Sequence, residues 1–113
     1  MRKLIFILMI GLLSTAVAQA QYPTDTETFV ITFIQKAEKS EMICKIQPQL
    51  RRVYVNPIAW VYFNYDIKKK FTKVCAMYMN MLTKQNAEFV KIYNYQTGKK
   101  LARYNSFLGF KVF

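Results

Sequence analysis

The chain has 113 residues, with 17 Lys and Arg against 6 Asp and Glu, no histidine and two cysteines. That length holds one domain, an apolar content of 53% suits a folded core rather than disorder, and a net charge of +11 suits anionic partners. The missing histidine removes Ser-His-Asp and Cys-His nucleophile systems, His-dependent ribonuclease chemistry and nearly every zinc hydrolase site.

Residues 1–20 have the layout of a secretory signal peptide. Arg2 and Lys3 form a positive start, Leu4 to Leu13 an apolar run, and Ala18-Gln19-Ala20 a small-residue cleavage signal. The apolar run is shorter than the roughly 18–20 residues a bilayer core needs, and no lipoprotein cysteine follows. The chain is therefore expected to be exported, periplasmic or secreted after cleavage near Ala20, leaving residues 21–113 as a single small domain. Cleavage removes Arg2 and Lys3, so 15 basic residues remain against the same 6 acids, a surplus of 9.

Phe29, Val30, Phe33, Ile34 and Ala37 recur at three- and four-residue spacing and predict a first helix that starts near Thr24 or Asp25. Met42 to Ile46 alternates as a short strand, Gln47-Pro48-Gln49 breaks it, and Arg51 to Val55 resumes as a second, joined by a tight hairpin. Asn56-Pro57 is a strong helix start, since Asn caps and Pro fits the first turn. The helix is expected to run to about Met81, with a stripe of Trp60, Phe63, Ile67, Phe71, Val74, Cys75, Tyr78 and Leu82, and a weak point at Asn64-Tyr65-Asp66. Glu88 to Tyr95 and Lys99 to Asn105 read as a hairpin around Gly98, and Gly109 to Phe113 as a last short strand.

The order helix, hairpin, helix, hairpin predicts an α+β fold: an antiparallel sheet of four to five strands with two helices packed on one face. Met42, Cys44, Ile46, Val53, Val55, Val90 and Ile92 are expected to face the helices. Cys44 and Cys75 would then both point inward, so a disulfide between them is open, and two buried free thiols are the alternative.

Little in the chain suggests catalysis. The carboxylates Asp25, Glu27, Glu38, Glu41, Asp66 and Glu88 form no convergent pair, and no C-x-x-C occurs. Gly98-Lys99-Lys100 lacks the upstream glycine and the Ser or Thr of a phosphate loop, so it reads as a hairpin turn. Ser40 and Ser106 lie in no motif, which leaves a lysine-dependent hydrolase as the weakest alternative. The expectation is a protein that is not an enzyme and has no cofactor or metal.

The outer sheet face carries the functional expectation. Alternation places Lys45, Arg52, Tyr54, Lys91, Tyr93, Tyr95 and Arg103 there, a basic, tyrosine-rich surface fit for an anionic surface or polymer, or for another exported protein. Solvation and cross-strand tyrosine pairing is the plainer account of the same residues. Export disfavours nucleic acid as the client. Phe107, Phe110 and Phe113 make the C-terminus apolar; they are expected to be tied into the sheet, or else to form a patch for a partner or a homodimer. A binding module is therefore the leading expectation, and an exported inhibitor or effector acting on another protein the alternative.

Val53-Tyr54-Val55-Asn56-Pro57-x-x-Trp60, the helix with Lys68 and Tyr78, and Gly98-Lys99-Lys100-Leu101-Ala102 together resemble an uncharacterised family of small exported proteins of Bacteroides-type bacteria. The resemblance covers roughly residues 53–104. It implies export and brings no activity, ligand or catalytic residue with it.

Overall fold

The computed structural model describes residues 23–113. The signal peptide read over residues 1–20 lies outside them. Helix α1 spans Pro23–Lys39 and buries Val30, Phe33, Ile34 and Ala37, the stripe its spacing predicts. It stops where Glu41 adopts a positive φ of 65° and Met42 N–H bonds back to the Ala37 carbonyl at 2.9 Å, turning the chain into strand β1, Ile43–Gln47. The way into β2, Arg52–Val55, is wider than a tight hairpin. Pro48–Leu50 form one 3-10 turn, and Arg51 reverses the chain at φ 52°.

The second helical segment divides in two. Asn56 caps α2, Pro57–Val61, by accepting the Ile58 N–H at 2.9 Å, with Pro57 in the first turn as its fixed φ favours. The chain then leaves the helix, and Asn64 caps α3, Tyr65–Thr83, by accepting the Ile67 N–H at 2.9 Å. The expected single helix is therefore corrected to two. Asn64 competes for backbone donors better than it propagates a helix, and the break lets Phe63 turn inward. Phe63 meets Phe71 at 5.8 Å and Trp60 at 6.2 Å between ring centroids, and Phe33 meets Phe71 edge-on at 5.9 Å. This aromatic cluster joins α1, α2 and α3.

Three more strands follow, β3 at Phe89–Asn94, β4 at Lys100–Asn105 and β5 at Gly109–Val112. The sheet order is β1-β2-β3-β4-β5, with helices α1 and α3 packed against the sheet. The fold is α+β, and the sheet is mixed. The expected all-antiparallel sheet is corrected at one place: β2 and β3 pair in parallel, Arg52 opposite Lys91 through Val55 opposite Asn94. The reason is the return path. A chain that leaves β2 and runs back over the sheet through α2 and α3 re-enters in the direction it left, as any helical crossover to a neighbouring strand does.

Val53, Val55, Val90, Ile92 and Ala102 form the buried face beneath the helices. Cys44 does not join them. The β1–β2 register slips between Ile43 and Lys45, so Cys44 is the extra residue of a bulge and lies exposed, while Met42 and Ile43 on either side of the expected phase are buried. Cys75 is wholly buried in α3, and both thiols are free. The Cys44–Cys75 disulfide is thereby corrected: the bulge turns one partner away from the other.

The C-terminal aromatics separate. Phe110 is half-buried against the core, edge-on to Tyr65 at 5.4 Å between centroids. Phe107 and Phe113 are exposed.

Candidate functional site

The face of the sheet away from the helices holds two rows of side chains, each crossing the strands. Pairing sets the first row residue by residue. Gln47 lies opposite Arg52, Arg52 opposite Lys91, Lys91 opposite Arg103, and Arg103 opposite Lys111. Four cations therefore occupy consecutive positions on β2 to β5, about 4.8 Å apart from strand to strand and about 14 Å from end to end. None of the five described strands contains an Asp or Glu.

The second row runs beside it. Lys45 lies opposite Tyr54, Tyr54 opposite Tyr93, and Tyr93 opposite Lys100. The two tyrosine rings sit 5.4 Å apart at a tilt of 32°. Cations cover the rings: Lys45 Nζ is 5.5 Å from the Tyr54 ring and the Arg52 guanidinium 5.0 Å from the Tyr93 ring. At the β5 edge, Lys100 and Lys111 both stand over Phe113, at 5.4 and 5.0 Å. The rings act as a floor that orders long cationic side chains without neutralising them. Arg52 Nε and the Oε1 of its neighbour Gln47 are buried without hydrogen-bond partners.

Six of the seven residues expected on this face are brought together there: Lys45, Arg52, Tyr54, Lys91, Tyr93 and Arg103. Tyr95 is the exception. It lies in the turn after β3, fixed by its N–H to the Val55 carbonyl at 3.0 Å, and lines a separate concavity with Glu38, Glu41, Cys44 and Asn56. Alternation fails for Tyr95 because the strand ends at Asn94, whose side chain accepts the Gln96 and Thr97 N–H groups and bends the chain away. Lys100 and Lys111 were missed. Lys111 alternates correctly within its own strand, and only its pairing with Arg103 reveals that it extends the row.

In the separate concavity, partial burial raises the Cys44 thiol above its ordinary range, with the Glu41 carboxylate adding to the effect, although the residue remains exposed to solvent. Among the described residues, no three His, Cys, Asp or Glu side chains are grouped to hold a metal ion, and no helix is long and apolar enough to cross a membrane. The described lysines are all at least partly exposed.

No protein-family model matches the chain, and no curated protein or solved structure matches it either. The geometry of the open face therefore carries the functional argument by itself.

Proposed function

We propose that this protein is an exported, non-catalytic binding module whose open sheet face takes an anionic polymer or surface. The observation that carries the reading is the row Arg52-Lys91-Arg103-Lys111, four cations in direct register on strands that contain no acid. Like charges placed opposite one another on a sheet destabilise it. Solubility is served as well by lysines elsewhere on the surface, such as Lys36 and Lys39 exposed on α1. A row that concentrates charge on one face serves a ligand that brings the counter-charge. Aromatic rings hold two cations of the row, Arg52 over Tyr93 and Lys111 over Phe113, which lowers the entropy those side chains lose on binding.

Export is proposed from the positive start, apolar run and Ala18-Gln19-Ala20 of residues 1–20. An inhibitor or effector that acts on another protein is a second reading, favoured by the exposure of Phe107 and Phe113 beyond the sheet. A lysine-dependent hydrolase finds no support in the described lysines, which are all at least partly exposed.

The test is charge reversal on the row. Arg52→Glu with Lys91→Glu should abolish retention on immobilised heparin at moderate salt and leave the fold intact, because both side chains point away from the core. Unchanged retention would refute the reading. An aromatic protein interface would instead tolerate both salt and the charge reversal.

A further inference from the structure

Register places three connections at one end of the sheet. β2 begins at Arg52 and β3 at Phe89 as parallel neighbours, and β4 ends at Asn105 opposite Phe89. The β1–β2 connection, the α3–β3 connection and the β4–β5 turn therefore share that end. It exposes Leu50, Leu82, Phe107 and Leu108, with Phe107 95% and Leu108 69% exposed. Two large apolar side chains this open on neighbouring positions mark an interaction site more often than scattered exposure does.

The turn that carries them is built to hold its shape. Asn105 Oδ1 accepts the Phe107 N–H at 2.8 Å, and Gly109 takes the positive φ of 75° that only glycine adopts easily. Behind the turn, Phe110 lies opposite Tyr104 and both pack on the core. Phe107 and Leu108 are thus presented by an anchored hairpin. The cationic row crosses β4 at Arg103, two residues before Asn105, which sets it about 7 Å behind the start of the turn. Long Arg and Lys side chains reach across such a gap while their stems lie on apolar surface.

We propose that this end of the domain docks on an anionic phospholipid bilayer. Phe107 and Leu108 enter the interfacial region, and the row Arg52-Lys91-Arg103-Lys111 lies at the level of the phosphates. Peripheral anchoring draws on buried apolar area together with attraction to anionic lipid, and this end offers both. The inference rests on the reading of the row as an anion-binding face and names its ligand. A soluble polyanion would use the row and leave the apolar turn without a role. A second copy pairing sheet face to sheet face would bring a like-charged row, since the described strands hold no acid. Glu88, exposed in the α3–β3 connection, shares that connection with Lys84, so the end keeps its positive sign.

The experiment uses the chain from Gln21, which retains all five strands and every core residue. Vesicles of phosphatidylcholine, with and without phosphatidylglycerol, are sedimented with the parent, with Phe107→Ser plus Leu108→Ser, and with Arg52→Glu plus Lys91→Glu. The parent should bind only vesicles that contain phosphatidylglycerol. The double serine variant should partition roughly tenfold or more weakly, with heparin retention and melting temperature unchanged. The charge-reversed variant should lose both ligands. Equal partition of the serine variant and the parent overturns the membrane inference while leaving the anion-binding face standing. Heparin retention that survives charge reversal overturns the face itself. A parent that ignores the vesicles but self-associates through Phe107 and Leu108 overturns the inference in favour of a second copy. As an independent readout, Phe107→Trp should give emission that shifts to the blue on phosphatidylglycerol vesicles, over the steady background of buried Trp60. An unshifted spectrum contradicts the proposal.

Discussion

The Arg51 guanidinium donates from Nε to the Phe89 carbonyl at 2.7 Å and stacks over the Phe89 ring at 4.6 Å from its centroid. The same group donates from Nη2 to Asn80 Oδ1 at 2.5 Å and from Nη1 to Thr83 Oγ1 at 3.2 Å. Arg51 is 3% exposed, and burial lowers its pKa, yet its contacts here are neutral acceptors rather than a carboxylate. One side chain thus ties the β1–β2 connection to the end of α3 and the start of β3. These are the parts that must meet for β2 and β3 to pair in parallel, and the Arg51 carbonyl adds to the joint by accepting the Lys91 N–H at 3.0 Å.

Arg51→Met should therefore destabilise the fold by about 2–4 kcal/mol, because it removes three hydrogen bonds from a partly buried site, although Asn80 Oδ1 keeps the Glu88 N–H and Thr83 Oγ1 keeps its bond to the Met79 carbonyl. Arg51→Lys should recover little, since an ammonium cannot span the three acceptors as a planar fork does. Urea unfolding measures both. A loss below about 0.5 kcal/mol for Arg51→Met would show that the joint does not depend on the guanidinium.

The two helix caps should behave alike despite their different surroundings. Asn56→Ala and Asn64→Ala each remove one side-chain acceptor from a helix start and should each lower stability by about 1 kcal/mol. Asn64→Ala should not fuse α2 with α3, because the buried position of Phe63 against Phe71 fixes the break. Amide exchange across residues 62–64 tests this, and new protection there would contradict it.

Thiol chemistry and alkaline stability should both report the burial of Cys75. With no bond to Cys44, one thiol per native chain should react with a small disulfide reagent and two after unfolding. Burial holds the Cys75 thiol far above its ordinary pKa, whereas the unfolded thiol ionises near about 8.5. Above that pH the unfolded chain binds fewer protons than the folded one, so stability falls as pH rises. The slope contributed by Cys75 approaches about 1.4 kcal/mol per pH unit. Cys75→Ala should flatten the fall between about pH 8.5 and 10. An unchanged slope, or two reactive thiols in the native chain, would contradict the burial of Cys75, and a native chain with no reactive thiol would contradict the exposed, unbonded Cys44.

Much of this was legible in the sequence wherever the signal was local. Asn56-Pro57 marks a helix start because both residues act on backbone groups within one turn. Gly98, at φ 74°, marks the β3–β4 turn for the same kind of reason. The buried stripe of α1 follows from periodicity alone, and that of α3 does so as far as Cys75; the expected place of Leu82 is corrected, since Leu82 is exposed and Thr72, Ala76 and Met79 are buried instead. What stayed hidden depends on partners far along the chain. The bulge at Cys44 is a slip in register against Val55 and Tyr54, and it undid both the inward placement of Cys44 and the disulfide. Parallel pairing of β2 with β3 depends on the return path through two helices. Arg51 reads as one more strand residue until Asn80, Thr83 and Phe89 surround it. Of the candidate face, alternation recovered six residues, and the bend at Asn94 removed Tyr95. Lys111 came to light only through its pairing.

The cationic row should oppose stability as well as support binding. Lys91 sits between Arg52 and Arg103, so Lys91→Thr should stabilise the domain by about 0.2–1 kcal/mol at low salt. The gain should shrink as salt screens the neighbours. Thermal unfolding at two ionic strengths measures it, and a loss of stability would mean that Lys91 makes compensating contacts.

The most direct measurement is the salt dependence of heparin-fragment binding for the parent, for Lys91→Gln and Arg103→Gln on the row, and for Lys39→Gln on α1. Each substitution removes one positive charge, so net charge alone predicts equal effects. If the row is the site, the two row variants should each lower the steepness of log Kd against log salt by about one and weaken binding, while Lys39→Gln stays close to the parent. Equal losses in all three variants would contradict a built site and reduce the basic face to diffuse charge.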